Sequence, residues 1–141
     1  MRLLTHSVKE TETLGRRLAG VLKSGDTVAL FGDMGAGKTA FVRGIAQGLQ
    51  YPGEVSSPTF SIVNEYLGGV CPVYHFDMYR IEGWDDLHSI GYYDFLDKDA
   101  ILIIEWSENI ENALPENAIK ITVSSGEAET DRIFSFEGVS F

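Results

Sequence analysis

Eight consecutive residues near the amino terminus constrain the fold of this chain more than any other segment. Residues 32–39 read Gly-Asp-Met-Gly-Ala-Gly-Lys-Thr, which matches the pattern G-x-x-x-x-G-K-[ST]. In this pattern the glycines let successive backbone N–H groups point into one concavity, Lys38 reaches the β- and γ-phosphate oxygens, and the Thr39 hydroxyl can bind Mg²⁺. The segment predicts a loop that binds ATP or GTP, with the Lys38 side chain in an open, solvated site.

The segments on either side of the loop have the pattern that such a loop requires. Residues 27–31, Thr-Val-Ala-Leu-Phe, form a short apolar run with β-branched members and predict a strand. In residues 40–49, Phe41, Ile45 and Leu49 recur every four positions, which predicts a helix whose start faces the bound anion. A glycine-rich turn that matches the pattern by accident is the alternative, and the flanking strand and helix disfavour it.

Length and composition favour one domain without a membrane span. The chain has 141 residues, of which 44% are hydrophobic, so residues 1–141 can form a single nucleotide-binding domain with a buried core. No apolar run approaches the roughly 20 residues that cross a bilayer, and the first residues are too polar for a signal peptide. The single Cys71 suits a reducing compartment. We therefore expect a cytoplasmic protein.

Charge is distributed unevenly along the chain. Residues 1–70 contain seven Lys and Arg against six Asp and Glu, whereas residues 71–141 contain four against fifteen. Tight binding to nucleic acid normally needs a basic surface, so direct binding of RNA or DNA by this chain alone is disfavoured. A solvated surface explains the acidic second half, with docking to a basic partner as the alternative.

The remaining pattern predicts a mixed sheet between helices. The elements predicted along the chain are a helix at 8–22 opened by a capping box of Ser7 and Glu10, an antiparallel hairpin of 59–66 and 73–80, a short helix at 84–87, a buried strand at 101–104, and late strands at 118–124 and 132–136. The continuously apolar run 101–104 is typical of a strand buried on both faces. Together these elements predict an α/β, P-loop NTPase-like fold of three layers, whose mixed sheet has a parallel centre and antiparallel additions.

An acidic residue at the end of a buried strand is a further requirement of a nucleotide site, because Mg²⁺ needs a carboxylate nearby. Glu105 directly follows the apolar run 101–104. It would lie beside the phosphate loop if its strand neighbours the strand that precedes the loop. A solvated carboxylate at a strand end is the alternative. Glu108, three residues later, is a weaker candidate that we expect on the surface, outside the metal site.

A polar cluster on the second strand of the hairpin supplies a candidate for turnover. His75 and Asp77 are two positions apart and share one face of a strand. Two such ligands without a third make a poor transition-metal site. Asp77 is therefore expected to orient water or Mg²⁺ beside the γ-phosphate, as phosphoryl transfer requires. A salt bridge between Asp77 and Arg80 is the alternative.

A short polar segment lies after the first helix beyond the phosphate loop. It reads Ser-Ser-Pro-Thr-Phe at residues 56–60. Loops that respond to the third phosphate often occupy this position, and Thr59 could contact the γ-phosphate or its metal ion. Because Ser-Ser-Pro is also common in ordinary turns, the residues alone leave both interpretations open.

Four motifs, in their order and spacing, resemble those of the TsaE (YjeE) family over nearly the whole chain. They are Gly-Asp-Met-Gly-Ala-Gly-Lys-Thr at 32–39, Ser-Pro-Thr-Phe at 57–60, His-Phe-Asp-Met-Tyr-Arg at 75–80 and Ile-Glu-Trp at 104–106. Members of this family are small bacterial ATPases required for threonylcarbamoyladenosine (t6A) modification of tRNA. The resemblance implies ATP and Mg²⁺ as cofactors, TsaB and TsaD proteins as partners, and contact with tRNA only through that complex.

The resemblance also implies roles for individual residues. Thr39 and Glu105 would bind Mg²⁺, Thr59 would belong to a switch-like loop, and Asp77 would be needed for hydrolysis. With Lys38, the residues Thr59 and Asp77 form the predicted catalytic set.

Two residues late in the chain complete the implied site. Trp106 would pack beside the nucleotide, with a place in the core as its alternative, and Arg132 would lie near the adenine. The predicted nucleotide-binding residues are thus Asp33, Met34, Gly35, Ala36, Gly37, Lys38, Thr39 and Arg132.

Two functions remain open at this point. One is an Mg²⁺-dependent ATPase that is slow without its partners, and the other is a nucleotide-dependent binding module in which hydrolysis is incidental. A small-molecule kinase is disfavoured because, apart from Lys120, residues 71–131 offer only Arg80 and Lys98 as cations for a second phosphorylated substrate. A GTPase is disfavoured because no Asn-Lys-x-Asp sequence is present to recognise guanine.

Overall fold

Among the residues that the structure describes, seven strands form one mixed sheet flanked by helices. The computed structural model describes residues 1–32, 35–56, 58 and 62–141, and for Gly35 and Ala36 only the backbone. Three predicted site residues, Asp33, Met34 and Thr59, lie outside the described residues. In chain order the elements are β1 (Arg2–Thr5), α1 (Val8–Ala19), β2 (Thr27–Phe31), α2 (Gly35–Gly48), β3 (Val63–Tyr66), β4 (Val73–Asp77), α3 (Trp84–Ser89), α4 (Tyr92–Leu96), β5 (Ile101–Glu105), a 3₁₀ segment (Ser107–Ala113), β6 (Ile119–Ser125) and β7 (Arg132–Glu137).

The strand order confirms the predicted mixed sheet with a parallel centre. Across the sheet the order is β1-β7-β6-β2-β5-β4-β3. The strands β6, β2, β5 and β4 run parallel, whereas β1, β7 and β3 are antiparallel additions at the two edges. Because the carboxyl ends of parallel strands meet at one edge of a sheet, the segments that follow β2, β4 and β5 are brought together there.

The core has two parts, one on each face of the sheet. On one face, Leu18 of α1 and Phe41 of α2 pack with Ile103 of β5. On the other face, Tyr92 of α4 packs with Leu102 of β5 and with other buried apolar residues. Alternate residues of β5 point to opposite faces of the sheet, and each face is covered by apolar side chains, so the strand is apolar throughout. The arrangement confirms the predicted three layers.

The two helices on the first face touch through their backbones. A Cβ atom added at Gly44 of α2 would lie 2.1 Å from the Glu12 carbonyl oxygen, and one added at Gly15 of α1 would lie 2.4 Å from the Phe41 carbonyl oxygen. No side chain larger than hydrogen fits at either position without a shift of backbone. This contact fixes α2, and with it the helix start that follows the phosphate loop, against α1.

Several local predictions hold and others miss. The Ser7 side chain accepts the Glu10 N–H, as a capping box requires, although the Glu10 carboxylate accepts the N–H of His6. The hairpin of β3 and β4 is antiparallel as predicted but shorter. The sequence pattern did not predict β1, α4 or the 3₁₀ segment. Within the described ranges, no helix has both the length and the apolar character needed to cross a bilayer.

Candidate nucleotide site

The phosphate loop joins the end of β2 to the start of α2. Gly32 has a φ of 100°, and a Cβ atom there would lie 2.2 Å from the Val123 carbonyl oxygen of β6, so the position requires glycine. The helix α2 begins at Gly35, inside the motif. The first N–H groups of a helix have no partner within it and carry a partial positive charge. This end of α2 is therefore suited to bind an anion.

Lys38 is fully buried, which corrects the expectation of an open, solvated site. Its ammonium group donates to the Gly32 carbonyl oxygen and lies 4.5 Å from the centroid of the Trp106 ring. The face of an indole ring attracts a cation, so Trp106 can hold the ammonium group over the loop. The structure thus places Trp106 beside the candidate site, as the family resemblance implied.

Two carboxylates lie side by side at the ends of neighbouring strands. In the parallel pair of β4 and β5, Asp77 is opposite Glu105, and β5 is also hydrogen-bonded to β2. The condition for placing Glu105 beside the phosphate loop is therefore met. Asp77 is half-buried, and its carboxylate accepts the Tyr79 N–H at 2.9 Å. No ion pair joins Asp77 to Arg80, both of which the structure describes.

Glu105 belongs to a buried hydrogen-bond chain that the sequence did not indicate. Its Oε2 lies 2.5 Å from Nε2 of His75, and Nδ1 of His75 lies 2.9 Å from the hydroxyl of Tyr66. The His75 side chain is fully buried, and Glu105 is 4% exposed. A signal for His75 was present in the sequence, because it precedes Asp77 by two positions, but its partner depends on the pairing of β4 with β5.

The chain after β5 turns back toward the phosphate loop. Trp106 has a φ of 58° and a ψ of 41°, a left-handed backbone that costs a non-glycine residue roughly 1–2 kcal/mol. After this turn the carboxylate of Glu108 accepts the Gly32 N–H at 2.7 Å. Glu108 is exposed, as predicted, but it also contacts the phosphate loop, and this contact was missed. In the sequence, the signal for this contact was the position of Glu108, three residues after Glu105.

Arg132 lies against the other side of the phosphate loop. A Cβ atom added at Gly37 would lie 3.2 Å from Nε of Arg132. The guanidinium group donates from one nitrogen to the carbonyl oxygens of Glu129 and Asp131, at 2.7 and 2.8 Å. Its Nε is buried and has no hydrogen-bond partner among the described residues. An unpaired buried donor beside Gly37 is a group that a nucleotide could satisfy.

The chemistry of the donors at this edge fits a nucleotide with Mg²⁺. Magnesium takes oxygen ligands, keeps several waters and uses only one or two protein groups together with phosphate oxygens. Thr39 and Glu105 supply a hydroxyl and a carboxylate of this type. In the part of the chain that the structure describes, no group of three or more His, Cys, Asp and Glu side chains is arranged to hold a metal ion.

Comparison with known proteins identifies relatives over most of the chain. The family model "Threonylcarbamoyl adenosine biosynthesis protein TsaE" matches residues 5–134. The chain is 37% identical to the tRNA threonylcarbamoyladenosine biosynthesis protein TsaE of Bacillus subtilis (strain 168), over 95% of this chain and 84% of that protein. For the protein of the same name from Treponema pallidum (strain Nichols), identity is 35%, with coverages of 87% and 90%. The crystal structure of Bacillus subtilis YdiB is similar with a TM-score of 0.79 and 32% identity, covering 96% of this chain and 83% of that one.

Proposed function

Because the chain belongs to the TsaE family, we propose that it is an Mg²⁺-dependent ATPase that serves the threonylcarbamoyladenosine modification of tRNA. Membership confirms the resemblance carried by the four sequence motifs. The observation that supports the proposal most is the meeting of two regions at one edge of the sheet. The phosphate loop with Lys38 lies beside the strand ends that carry Asp77 and Glu105.

ATP would bind through the start of α2 and two cations. The N–H groups at Gly35 to Gly37 and the ammonium group of Lys38 would contact the phosphates. Lys38 can reach them by exchanging the Gly32 carbonyl oxygen for a phosphate oxygen. Arg132, which lies against Gly37, would contact the adenine side of the nucleotide.

Thr39 and Glu105 would hold Mg²⁺ through their hydroxyl and carboxylate oxygens. When bound, the ion neutralises negative charge on the β- and γ-phosphates. Glu105 is nearly fully buried, so its carboxylate has little water to compete with such a charge.

Asp77 would orient the attacking water in hydrolysis. It is opposite Glu105 in the sheet and half-buried, and it makes no ion pair with Arg80 that would occupy its carboxylate. A carboxylate at this place can accept a hydrogen bond from the attacking water and so hold it in line with the γ-phosphate. Thr59, outside the described residues, is the proposed contact of a switch-like loop with that phosphate.

The relatives in Bacillus subtilis and Treponema pallidum are named for tRNA threonylcarbamoyladenosine biosynthesis. On this basis we assign the same process to this chain. The partners and the compartment are proposed from the sequence resemblance and composition alone: TsaB and TsaD proteins in the cytoplasm, with tRNA reached only through them. The second half of the chain is acidic, with fifteen Asp and Glu against four Lys and Arg, which disfavours direct binding of RNA.

The proposal is tested by measuring ATP hydrolysis by the purified chain alone, with TsaB and TsaD, and with both proteins plus tRNA. We expect slow Mg²⁺-dependent hydrolysis alone and a large activation in the complex. Asp77→Asn serves as the matched control, because it keeps the size of the side chain and removes its charge. Hydrolysis that is absent in every mixture would refute the ATPase assignment, whereas equal hydrolysis by the Asp77→Asn protein would refute the role of Asp77.

A further inference from the structure

The buried chain from Glu105 through His75 to Tyr66 is larger than the proposed function needs. A metal-binding carboxylate could stand alone at a strand end, yet here a fully buried imidazole contacts it, and an almost fully buried phenol contacts the imidazole. Burying polar groups costs free energy unless each is hydrogen-bonded. Here each of the three has a partner, with the distance from Glu105 to His75 at 2.5 Å and that from His75 to Tyr66 at 2.9 Å.

The imidazole of His75 joins the other two groups through its two ring nitrogens. Nε2 faces Oε2 of Glu105, and Nδ1 faces the hydroxyl of Tyr66. A carboxylate only accepts hydrogen bonds, so a hydrogen on Nε2 of His75 is the donor to Glu105. Burial raises the pKa of Tyr66 above its ordinary value of 10, so the phenol stays a hydrogen-bond donor.

The strand β3 provides the remaining support. The Ser56 carbonyl oxygen accepts hydrogen bonds from the Tyr66 hydroxyl and from the Asn64 side-chain amide, both at 3.1 Å. The Tyr66 ring is held against the His75 ring, with centroids 5.8 Å apart. Tyr66, fixed in this way, is placed to hold the His75 ring with Nε2 toward Glu105.

We propose that His75 is a positioning residue for the Mg²⁺-binding carboxylate of Glu105, and that Tyr66 orients His75 for this task. His75 holds Oε2 of Glu105 and leaves Oε1 for the ion or one of its waters. In metal sites, hydrogen bonds of this kind fix the ligand, and their removal typically lowers metal affinity by about 10- to 100-fold. The inference rests on the proposed function, since it requires that Glu105 bind Mg²⁺.

Two amide substitutions separate the two hydrogen bonds of His75. In His75→Gln the side-chain amide can take the place of Nε2 and still donate to Glu105. In His75→Asn the shorter amide takes the place of Nδ1, so it can meet Tyr66 but not Glu105. Both variants remove the imidazole from a buried position, and His75→Asn also lacks one methylene group that His75→Gln keeps, so a thermal melt measures the difference in packing. Tyr66→Phe removes only the hydroxyl that contacts His75.

The measurement is the affinity for ATP in excess Mg²⁺ and in EDTA, by calorimetry, with a thermal melt on each sample. The ratio of the two affinities is the readout, because a fraction of unfolded protein changes the stoichiometry of both titrations and not their ratio. We expect His75→Asn to lower the ratio by about tenfold or more and His75→Gln to keep it within about threefold. Tyr66→Phe is expected to lower it by less than His75→Asn does.

Equal ratios in His75→Asn and wild type, or equal losses in His75→Asn and His75→Gln, overturn the positioning role of His75. A wild-type ratio in Tyr66→Phe overturns the role of Tyr66. Glu105→Gln is measured in parallel to distinguish this failure from that of the proposed function. If Glu105→Gln also leaves the ratio unchanged, the Mg²⁺ site itself is wrongly placed. If Glu105→Gln lowers it while His75→Asn does not, only the inference about His75 fails.

Discussion

The phosphate loop and the ends of β4 and β5 lie at the same edge of the sheet and carry groups of opposite charge. The loop presents backbone N–H groups and the buried cation of Lys38. The strand ends present the carboxylates of Asp77 and Glu105. The loop side is built from one contiguous segment, whereas the strand-end side joins His75 to Glu105 across 30 positions of sequence.

If the proposed function is correct, the loop side serves nucleotide binding and the strand-end side serves turnover. Positive groups on the loop side complement a triphosphate, so they should govern affinity for the nucleotide. Negative groups on the strand-end side complement a metal ion and a water molecule, so they should govern the dependence on Mg²⁺ and the rate of hydrolysis. Substitutions on the two sides should therefore affect different measurements, and the predictions below test that separation.

The largest effect is expected for Asp77→Asn, which should lower kcat by about a hundredfold or more while ATP affinity changes little. A group that holds the attacking water acts mainly in the transition state, so kcat and kcat/KM should fall together. Steady-state kinetics and a calorimetric titration on one preparation measure both quantities.

Arg80→Ala is the control for this prediction. Asp77 and Arg80 form no ion pair, so Arg80→Ala should leave the melting temperature and the unstimulated ATPase rate unchanged. If Asp77→Asn and Arg80→Ala instead lower the melting temperature to the same extent and neither lowers kcat per folded molecule, the two residues act as a structural pair.

A smaller effect is expected at the junction of the two regions. Thr39→Ala should lower the ratio of ATP affinities in Mg²⁺ and in EDTA by about tenfold, because it removes an oxygen donor to the ion and leaves the phosphate-binding N–H groups in place. Thr39→Ser keeps the hydroxyl and should keep the ratio. A ratio that is the same in all three proteins would exclude Thr39 as a metal ligand.

Next to the phosphate loop, Arg132→Gln should weaken ATP binding by about fivefold, which corresponds to the roughly 1 kcal/mol of a cation against an aromatic ring. Because Arg132 is proposed to contact the adenine side, affinity for inorganic triphosphate should not change. Competition titrations with both ligands measure this difference. An equal loss for the two ligands would place Arg132 at the phosphates instead.

The smallest effect is expected for the pair of His6 and Asp131, of which Asp131 directly precedes Arg132. Nδ1 of His6 lies 2.9 Å from the Asp131 carboxylate, and this hydrogen bond raises the pKa of His6 above 6.5 and lowers that of Asp131 below 3.8. The raised His6 pKa stabilises the fold below pH 6.5, and this contribution is lost as pH rises through the folded value. The lowered Asp131 pKa stabilises it above pH 3.8, and this contribution is lost as pH falls through the folded value.

The pair should therefore stabilise the protein between about pH 4 and 6.5, and His6→Asn should lower the melting temperature there by a few degrees at most. At pH 9 the two proteins should melt together. Melting curves across this range check the prediction, and a difference that grows toward pH 9 would contradict it. ATP affinity should be the same in both proteins at neutral pH, since His6 belongs to neither region of the site.

The loop side was largely predictable from sequence because the residues that form it are contiguous. One motif with its strand and helix specified Lys38, Thr39 and the start of α2. Glu105 could be placed as a candidate because it ends an apolar run. The partners His75 and Tyr66 could not be predicted, because they depend on which strands are neighbours and in which register.

Two other misses have the same physical origin. The burial of Lys38 depends on Trp106, whose left-handed backbone follows from the tertiary turn after β5 and is not a preference of tryptophan. The contact of Glu108 with Gly32 depends on that same turn. The strand β1 is only four residues long and is stabilised by pairing with β7, so a short local pattern does not reveal it.

Titration of ATP with Mg²⁺ into the wild-type and Lys38→Met proteins tests most directly whether residues 32–39 bind a nucleoside triphosphate. Methionine keeps an unbranched side chain against Trp106 and removes the charge. We predict saturable binding of one ATP by the wild type and a loss of about a hundredfold or more in the variant, since a charged hydrogen bond to phosphate contributes up to about 3 kcal/mol. Near wild-type ATP affinity in a folded Lys38→Met protein would contradict the account.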